Sequence, residues 1–386
     1  MIARAAFNPC RIAIPVALLD SPWVRRAWSG VDPAQVWDCH VHLAGLGDGG
    51  SGIEVGPQLS SLRHPLRYAQ RLFYLNASCA QHAPGLVDAA YAARLLNLCD
   101  AMPAGFKALL FAFERFHDEG GQAHRERTSF YVPNAWAARL AREFPARFEW
   151  VASVHPYRAD AADALLASLA DGARAVKWLP AAMGMDPASS RCDAFYRVLA
   201  ARRVPLIVHC GDEKAVEGGG THHLGNPLRL RRALDAGVRV IVAHCATLGE
   251  DVDLDQGEHG PRRASFELLL RLFGEARAKG CLYGDISAIA QRNRKIAVIR
   301  ALLERDDLHD RLLQGSDYPL PGIVPLTSLS ALARNGLVPA DAVADLASLR
   351  EHNPLLFDFT LKRLLAWQGR AFPVSVFQTR PFFAAV

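Results

Sequence analysis

The eight cysteines form no CxxC pair and no compact set of spacings. That is not the pattern of a disulfide-stapled scaffold, and in a chain this long they read as reduced, cytosolic thiols. Lysine is scarce, with six residues, and the more numerous arginines are scattered. Without a basic block or an aromatic-interleaved basic stripe, nucleic acid is excluded as the expected partner. One short apolar run near the N-terminus, residues 12–19, is broken by Pro15. It lacks a small-residue cleavage site and is far too short to span a bilayer, so no membrane association or export is expected and the cytoplasm is the expected location. No repeat of short period and no low-complexity linker interrupts the chain.

What is present is core-forming. Apolar residues make up 51% of 386 residues and charged residues 22%, with a net charge of only +5. This is a normal length for one (β/α)8 barrel with insertions, and a single domain over 1–386 is expected. Eight apolar or β-rich runs occur at 36–43, 108–113, 148–154, 173–179, 206–209, 238–244, 281–286 and 312–314. Helix-like stretches rich in Ala, Leu and Arg lie between most of them, as at 159–170, 193–202, 227–235 and 263–279. Strands alternating with helices argue for a parallel sheet, and eight such strands for closure into a TIM barrel. Several strands lack clean polar alternation, as expected when helices cover the sheet. Two segments exceed the minimal barrel: an insertion at 43–107 after strand one, able to line the pocket mouth, and an aromatic tail at 367–386 expected to dock on the body.

Chemistry concentrates at the C-terminal ends of these strands. His40 and His42 lie in WDCHVH, and residues two apart on a strand share a face, so both imidazoles can reach one metal. A chance HxH pair is the alternative on this motif alone. Lys177 interrupts the apolar strand AVKWL. Burial charged and unpaired would be costly, so three outcomes stand. The amine loses its proton and takes up CO2 to become a carboxylated bridge between metals; it stays cationic beside an acid or a substrate carboxylate; or it snorkels to solvent. His209 ends LIVH and His244 ends VIVAH, and two such histidines on successive strands favour a shared ligand or acid–base role. Asp317, in LQGSDYP, can bind metal and accept a proton from water, or form an Asx turn. Cys39, Cys210 and Cys245 adjoin these histidines and are expected to pack behind the site. His155, Trp178, Asp285 and Tyr318 are candidate pocket or substrate-binding residues, Asp285 also as a hydrogen-bonding support. His117 follows strand two. His222 and His223 sit in the Gly-rich EGGGTHHLGN, which reads either as a lid or as surface.

These residues, in this order, resemble the amidohydrolase superfamily. DCHVH, ASVHP, GARAVKWLP, PLIVHCGDE, VIVAHC, YGDIS, GSDYP and HNPLLF are similar to its amidohydrolase-2 branch, which includes relatives of aminocarboxymuconate-semialdehyde decarboxylase. The resemblance implies that His40, His42, Lys177, His209, His244 and Asp317 hold one or two divalent ions, zinc being the first choice. Asp317 would act as general base and His244 as ligand or oxyanion stabiliser. AVKWLPA also resembles the bridging-lysine strand of dihydroorotases, whereas many decarboxylase-like members use one metal, so the number of ions stays open. The expected activity is metal-dependent hydrolysis of a C–N or C–O bond (amide, lactone or ester) in a small molecule. Decarboxylation of an activated carboxylic acid is the rival, and a non-catalytic metal- or ligand-binding barrel the third reading. A homo-oligomer is compatible with the tail.

Overall fold

In a computed structural model, residues 7–214, 216 and 220–384 are described. Eight runs of mostly apolar residues form the barrel strands: β1 (Trp37–His42), β2 (Lys107–Phe111), β3 (Phe148–Val151), β4 (Val176–Trp178), β5 (Leu206–His209), β6 (Val240–Ala243), β7 (Leu282–Asp285) and β8 (Leu312–Leu313). All pair in parallel, β1-β2-β3 in one sheet and β4 to β8 in sequential order in the other. Single parallel bridges join the sheets at both seams, Ala152 to Val176 and Val41 to Tyr318. The eight strands thus make the ring expected of a TIM barrel, each one matching an expected run.

Period-two alternation sorts the side chains into two cores. Leu109, Phe111, Val151, Ala175, Ile207, Ile241 and Leu313 join Trp37 and Cys39 in the inner cluster. Their neighbours Ala108, Leu110, Val176, Leu206, Val208, Val240 and Val242 belong to the larger cluster under the helices. Lys177, His209 and Asp285 lie two residues beyond Ala175, Ile207 and Tyr283, so the same alternation turns chemistry inward at the strand ends.

Strand β1 departs from this rule. Its register against β2 slips between Asp38 and Val41, where one extra residue is accommodated. Such a bulge re-aims the side chains after it. Cys39 therefore shares the inner cluster while His40 and His42 also face inward, His40 within 4.8 Å of the Phe111 ring centroid. The expectation that Cys39 faces away from its neighbouring histidines is corrected by that extra residue. Cys210 and Cys245 sit in the outer core as free thiols.

Between β1 and β2 lie α1 (Pro65–Ala77) and α2 (Val87–Asp100). Their connection carries a second correction. Cys10 and Cys79 form a disulfide, with Cα atoms 5.6 Å apart across 69 residues of sequence. The thiols are therefore not all reduced, and a pairing at that separation leaves no local spacing signal. The other six cysteines are free.

The C-terminal region begins with α3 (Pro354–Leu364), capped by Asn353, whose Oδ1 accepts from the Leu355 and Leu356 amides. Beyond it the chain reaches the N-terminal end of the barrel. Phe383, fully buried, joins the inner cluster beside Trp37, and the Trp37 amide donates to Thr379 Oγ1 at 3.2 Å. No helix among the described residues is long and apolar enough to cross a membrane. Truncating Phe383 to alanine should cost about 3–5 kcal/mol, because a ring is removed from a closed core. Urea unfolding measures this; a loss below about 1 kcal/mol would show the tail to be dispensable to the barrel.

Candidate active site

His40 is fully buried, and its Nδ1 lies 2.8 Å from Asp285 Oδ2. Burial above all, with the Lys177 cation adding to it, holds the imidazole pKa well below its ordinary range. The ring is therefore neutral, and with Nδ1–H donated to Asp285 its Nε2 lone pair is free. That Nε2 faces His42 Nε2 at 3.2 Å and Asp317 Oδ1 at 3.5 Å, and His42 Nε2 is 3.2 Å from the same oxygen.

His244 reaches the cluster by an unusual backbone. It and the next two residues, Cys245 and Ala246, have φ of +54°, +47° and +48°. Non-glycine residues at positive φ cost free energy and concentrate at functional sites. The His244 amide donates to Asp285 Oδ1 at 2.9 Å, which helps hold the turn. Ser287 Oγ donates to that same oxygen and lies 2.7 Å from His244 Nδ1. Ser287 then accepts from His244 Nδ1–H, leaving the His244 Nε2 lone pair directed at the site, 3.9 Å from Asp317 Oδ2. Burial again holds the His244 pKa well down. Asp317 is itself at φ +63°, with its amide donating to the His40 carbonyl at 2.8 Å.

One ligand atom from each of His40, His244 and Asp317 can be chosen so that all lie within 4.8 Å of one another, and all three residues are buried. Unprotonated nitrogens turned toward each other and a carboxylate suit a divalent cation, and this nitrogen–oxygen donor set fits Zn, Fe or Mn. His209 stands apart. Its ring packs edge-on to His244, while Nδ1 faces Glu213 Oε2 and Nε2 faces the Asp212 carbonyl, each at 3.3 Å. Lys177 is 1% exposed; its Nζ has no hydrogen-bond partner among the described residues and lies 5.2 Å from the Phe111 ring centroid. Burial lowers its pKa.

Above this floor opens a pocket with about 1080 Å³ of empty space, partly open to solvent. Its walls are largely apolar, with Val55, Leu59, Leu75, Phe113, Phe130, Leu179, Leu248 and Leu320 among them. His42, Lys177, His209, His244 and Asp317 all line it. Five further charged residues line it that were not among the candidate site residues: Arg71 on α1, Asp212, Glu213, Lys214 and Arg294. Glu213 carried a signal, standing four residues beyond His209 at the same strand end. Arg71 carried none, because only the folding back of the insertion brings α1 over the barrel.

Four expected pocket residues do not line it. Trp178 faces outward because Lys177 faces inward; its Nε1 donates to the Val154 carbonyl at 2.9 Å and it packs on Phe195 and Tyr196. His155 uses both nitrogens locally, Nε2 facing the Met183 carbonyl at 3.0 Å and Nδ1 accepting from the Tyr157 amide at 3.1 Å. Burial holds its pKa down to about 3, and it stacks on His117. Tyr318 is fully buried against Tyr91 and does not line the pocket. Asp285 lies beneath the cluster as its support. His222 and His223 are exposed on a short 3-10 turn, while residues 217–219 of the Gly-rich stretch lie outside the described residues.

A parallel eight-stranded barrel with His and Asp side chains gathered at the C-terminal ends of its strands defines a class of barrel proteins with a metal-type site. A family model described as Amidohydrolase, the amidohydrolase-2 family, matches residues 37–335, and the chain belongs to that family, which is metal-dependent. No curated protein matches the chain. Among solved structures, an uncharacterized TIM-barrel protein from Bordetella bronchiseptica is 17% identical with a TM-score of 0.50, over 80% of this chain and 94% of its own. A 5-carboxyvanillate decarboxylase from Novosphingobium aromaticivorans, complexed with manganese and 4-hydroxy-3-methoxy-5-nitrobenzoic acid, is 14% identical with a TM-score of 0.46, over 92% and 98%. A protein described as a probable 2-pyrone-4,6-dicarboxylic acid hydrolase from Acinetobacter baumannii, with citric acid bound, is 14% identical with a TM-score of 0.43, over 83% and 97%. At 17% identity the likeness to the first shows the fold alone, and nothing is drawn from the other two.

Replacing Asp285 with alanine frees His40 Nδ1 and the His244 amide together. Divalent-metal affinity should fall about 10- to 100-fold. Metal titration of the apoprotein checks this, and unchanged affinity would remove Asp285 from any orienting role.

Proposed function

We propose that this protein is a metal-dependent hydrolase that cleaves a C–N or C–O bond, in an amide, lactone or ester, of a small molecule with an apolar body and an anionic group. The observation that carries the reading is the convergence of His40, His42, His244 and Asp317 at the floor of a largely apolar pocket. These four residues would hold the ion. A bound divalent ion supplies Lewis acidity, lowering the pKa of water and polarising a substrate oxygen.

The chain's own groups do the rest. Asp317 accepts the proton of the attacking water and returns it to the leaving nitrogen or oxygen as the bond breaks. His40 and His244, held neutral by burial and oriented by Asp285 and Ser287, present lone pairs rather than protons. The apolar walls exclude bulk water and so strengthen every electrostatic contact within. Arg71 and Arg294 each have a buried Nε without a hydrogen-bond partner among the described residues, and both line the pocket. A substrate carboxylate supplies what they lack. Lys177, desolvated on the inner wall, is suited either to CO2 uptake or to contact with substrate.

Asp317→Asn should keep the fold and lose turnover by about 10²- to 10⁴-fold. Near-normal kcat in that variant would sink the assigned role. Chelation should abolish activity, and Zn, Mn, Co or Fe should restore it. Elemental analysis paired with native mass resolves the ion count. About one ion per chain without an adduct indicates a mononuclear site; two ions with the mass gain of CO2 indicate a carboxylated Lys177. Decarboxylation remains the rival chemistry, since a carboxylate beside Arg294 serves both. Release of CO2, in place of a new acid, amine or alcohol, would overturn hydrolysis in its favour.

A further inference from the structure

Helix α3 begins beyond residue 335, where the family match ends, and yet it reaches the site. Its Lys362 is fully buried. The ammonium donates to the Gly315 carbonyl at 2.5 Å and pairs with Asp358 Oδ2, one turn earlier on the helix, at 2.6 Å. Asp358 Oδ2 also accepts from Gln314 Nε2 at 3.2 Å. The two residues so held stand three and two positions ahead of Asp317.

The same segment is gripped from the opposite side by β1. Asp38 Oδ1 accepts from the Ser316 amide at 2.8 Å and from the His40 amide at 3.2 Å. Gly315 passes so close that a Cβ on it would meet the His40 Cβ at 2.6 Å, so no other residue fits without displacement. Residues 314 to 317 are thus held one after another, and the sequence ends in an aspartate at positive φ, a conformation that relaxes unless its surroundings over-determine it. Fold stability does not account for burying an ion pair here. Replacing such a pair with well-packed apolar residues is often neutral or stabilising. What the pair supplies and an apolar pair does not is a directed hydrogen bond to the Gly315 carbonyl.

We propose that Lys362 is a positioning residue for Asp317. Through the Gly315 carbonyl it sets the loop that aims the Asp317 carboxylate at the point where His40 and His42 converge, and Asp358 holds the ammonium for that contact. The inference rests on the reading of these residues as a metal site.

Cobalt(II) is the probe, because its visible absorption reports coordination geometry and not activity. The full-length protein is compared with the Asp358→Leu/Lys362→Met double variant, which removes the charges in pairs and keeps the volume. The double variant should unfold cooperatively at a urea midpoint at or above that of the wild type. It should nevertheless bind Co2+ at least about 10-fold more weakly, with a shifted d–d band. Wild-type affinity and an unchanged band in the folded double variant would overturn the proposal. Should the double variant not fold, Asp358→Asn carries the test, since it keeps the shape and weakens the grip on Lys362. Weaker binding with a shifted band supports the proposal, and wild-type behaviour overturns it. If the wild-type protein itself takes up no Co2+, the metal-site reading fails and this inference with it.

Discussion

A carboxylate without access to solvent must have its lone pairs satisfied within the protein. Asp285 is such a group, and its donors come from three parts of the barrel: His40 Nδ1–H after the bulge of β1, the His244 amide after β6, and the Ser287 amide and hydroxyl after β7. The consequence is chemical as much as mechanical. His40 Nδ1–H donates to Asp285, and Ser287, whose hydroxyl also donates there, is left to accept from His244 Nδ1–H, so both histidines turn an unprotonated Nε2 to the same region. A barrel brings strand ends together, but proximity alone leaves tautomers free; the buried acid removes that freedom.

The electrostatics of the pocket follow from how few charges there are and how each is satisfied. Asp317 is surrounded by imidazoles, Glu213 is turned to His209, and Lys214 pairs with Asp212 at 2.8 Å. Lys177 and the Nε atoms of Arg71 and Arg294 have no such partner among the described residues. Neutralisation of Asp317 by a cation would leave the cavity with positive character against apolar walls. The proposal of an anionic substrate rests on that balance, which arises from groups on α1, β4 and the segment after β7, far apart in sequence.

Much of the architecture was legible along the chain. Each of the eight strands matches an apolar run, because a barrel strand with one face on the interior and the other under helices must be apolar almost throughout. The site was legible where one residue sits at one strand end: His40, His42, Lys177, His209, His244 and Asp317 all line the pocket or lie directly beneath it. Expectation and structure part at the neighbours of those residues. Trp178 and Tyr318 stand next to true pocket residues and do not line the pocket, Trp178 by ordinary alternation. Cys39 is inward because β1 carries an extra residue, and the Cys10–Cys79 pair spans a loop too long to leave a local pattern.

The amino-acid sequence by itself determined the barrel, its strand order and the set of side chains able to bind a metal, because these depend on hydrophobic periodicity and on which residue types end each strand. The tertiary structure alone decided which of those side chains meet. The bulge in β1, the positive φ at His244 and Asp317, the tautomers set by Asp285 and Ser287, the folding of α1 over the pocket and the packing of α3 against the loop before Asp317 all arise from contacts between distant segments. Such contacts form only when the chain is closed on itself, since no local preference would place a buried acid, a left-handed aspartate or a buried lysine where they stand.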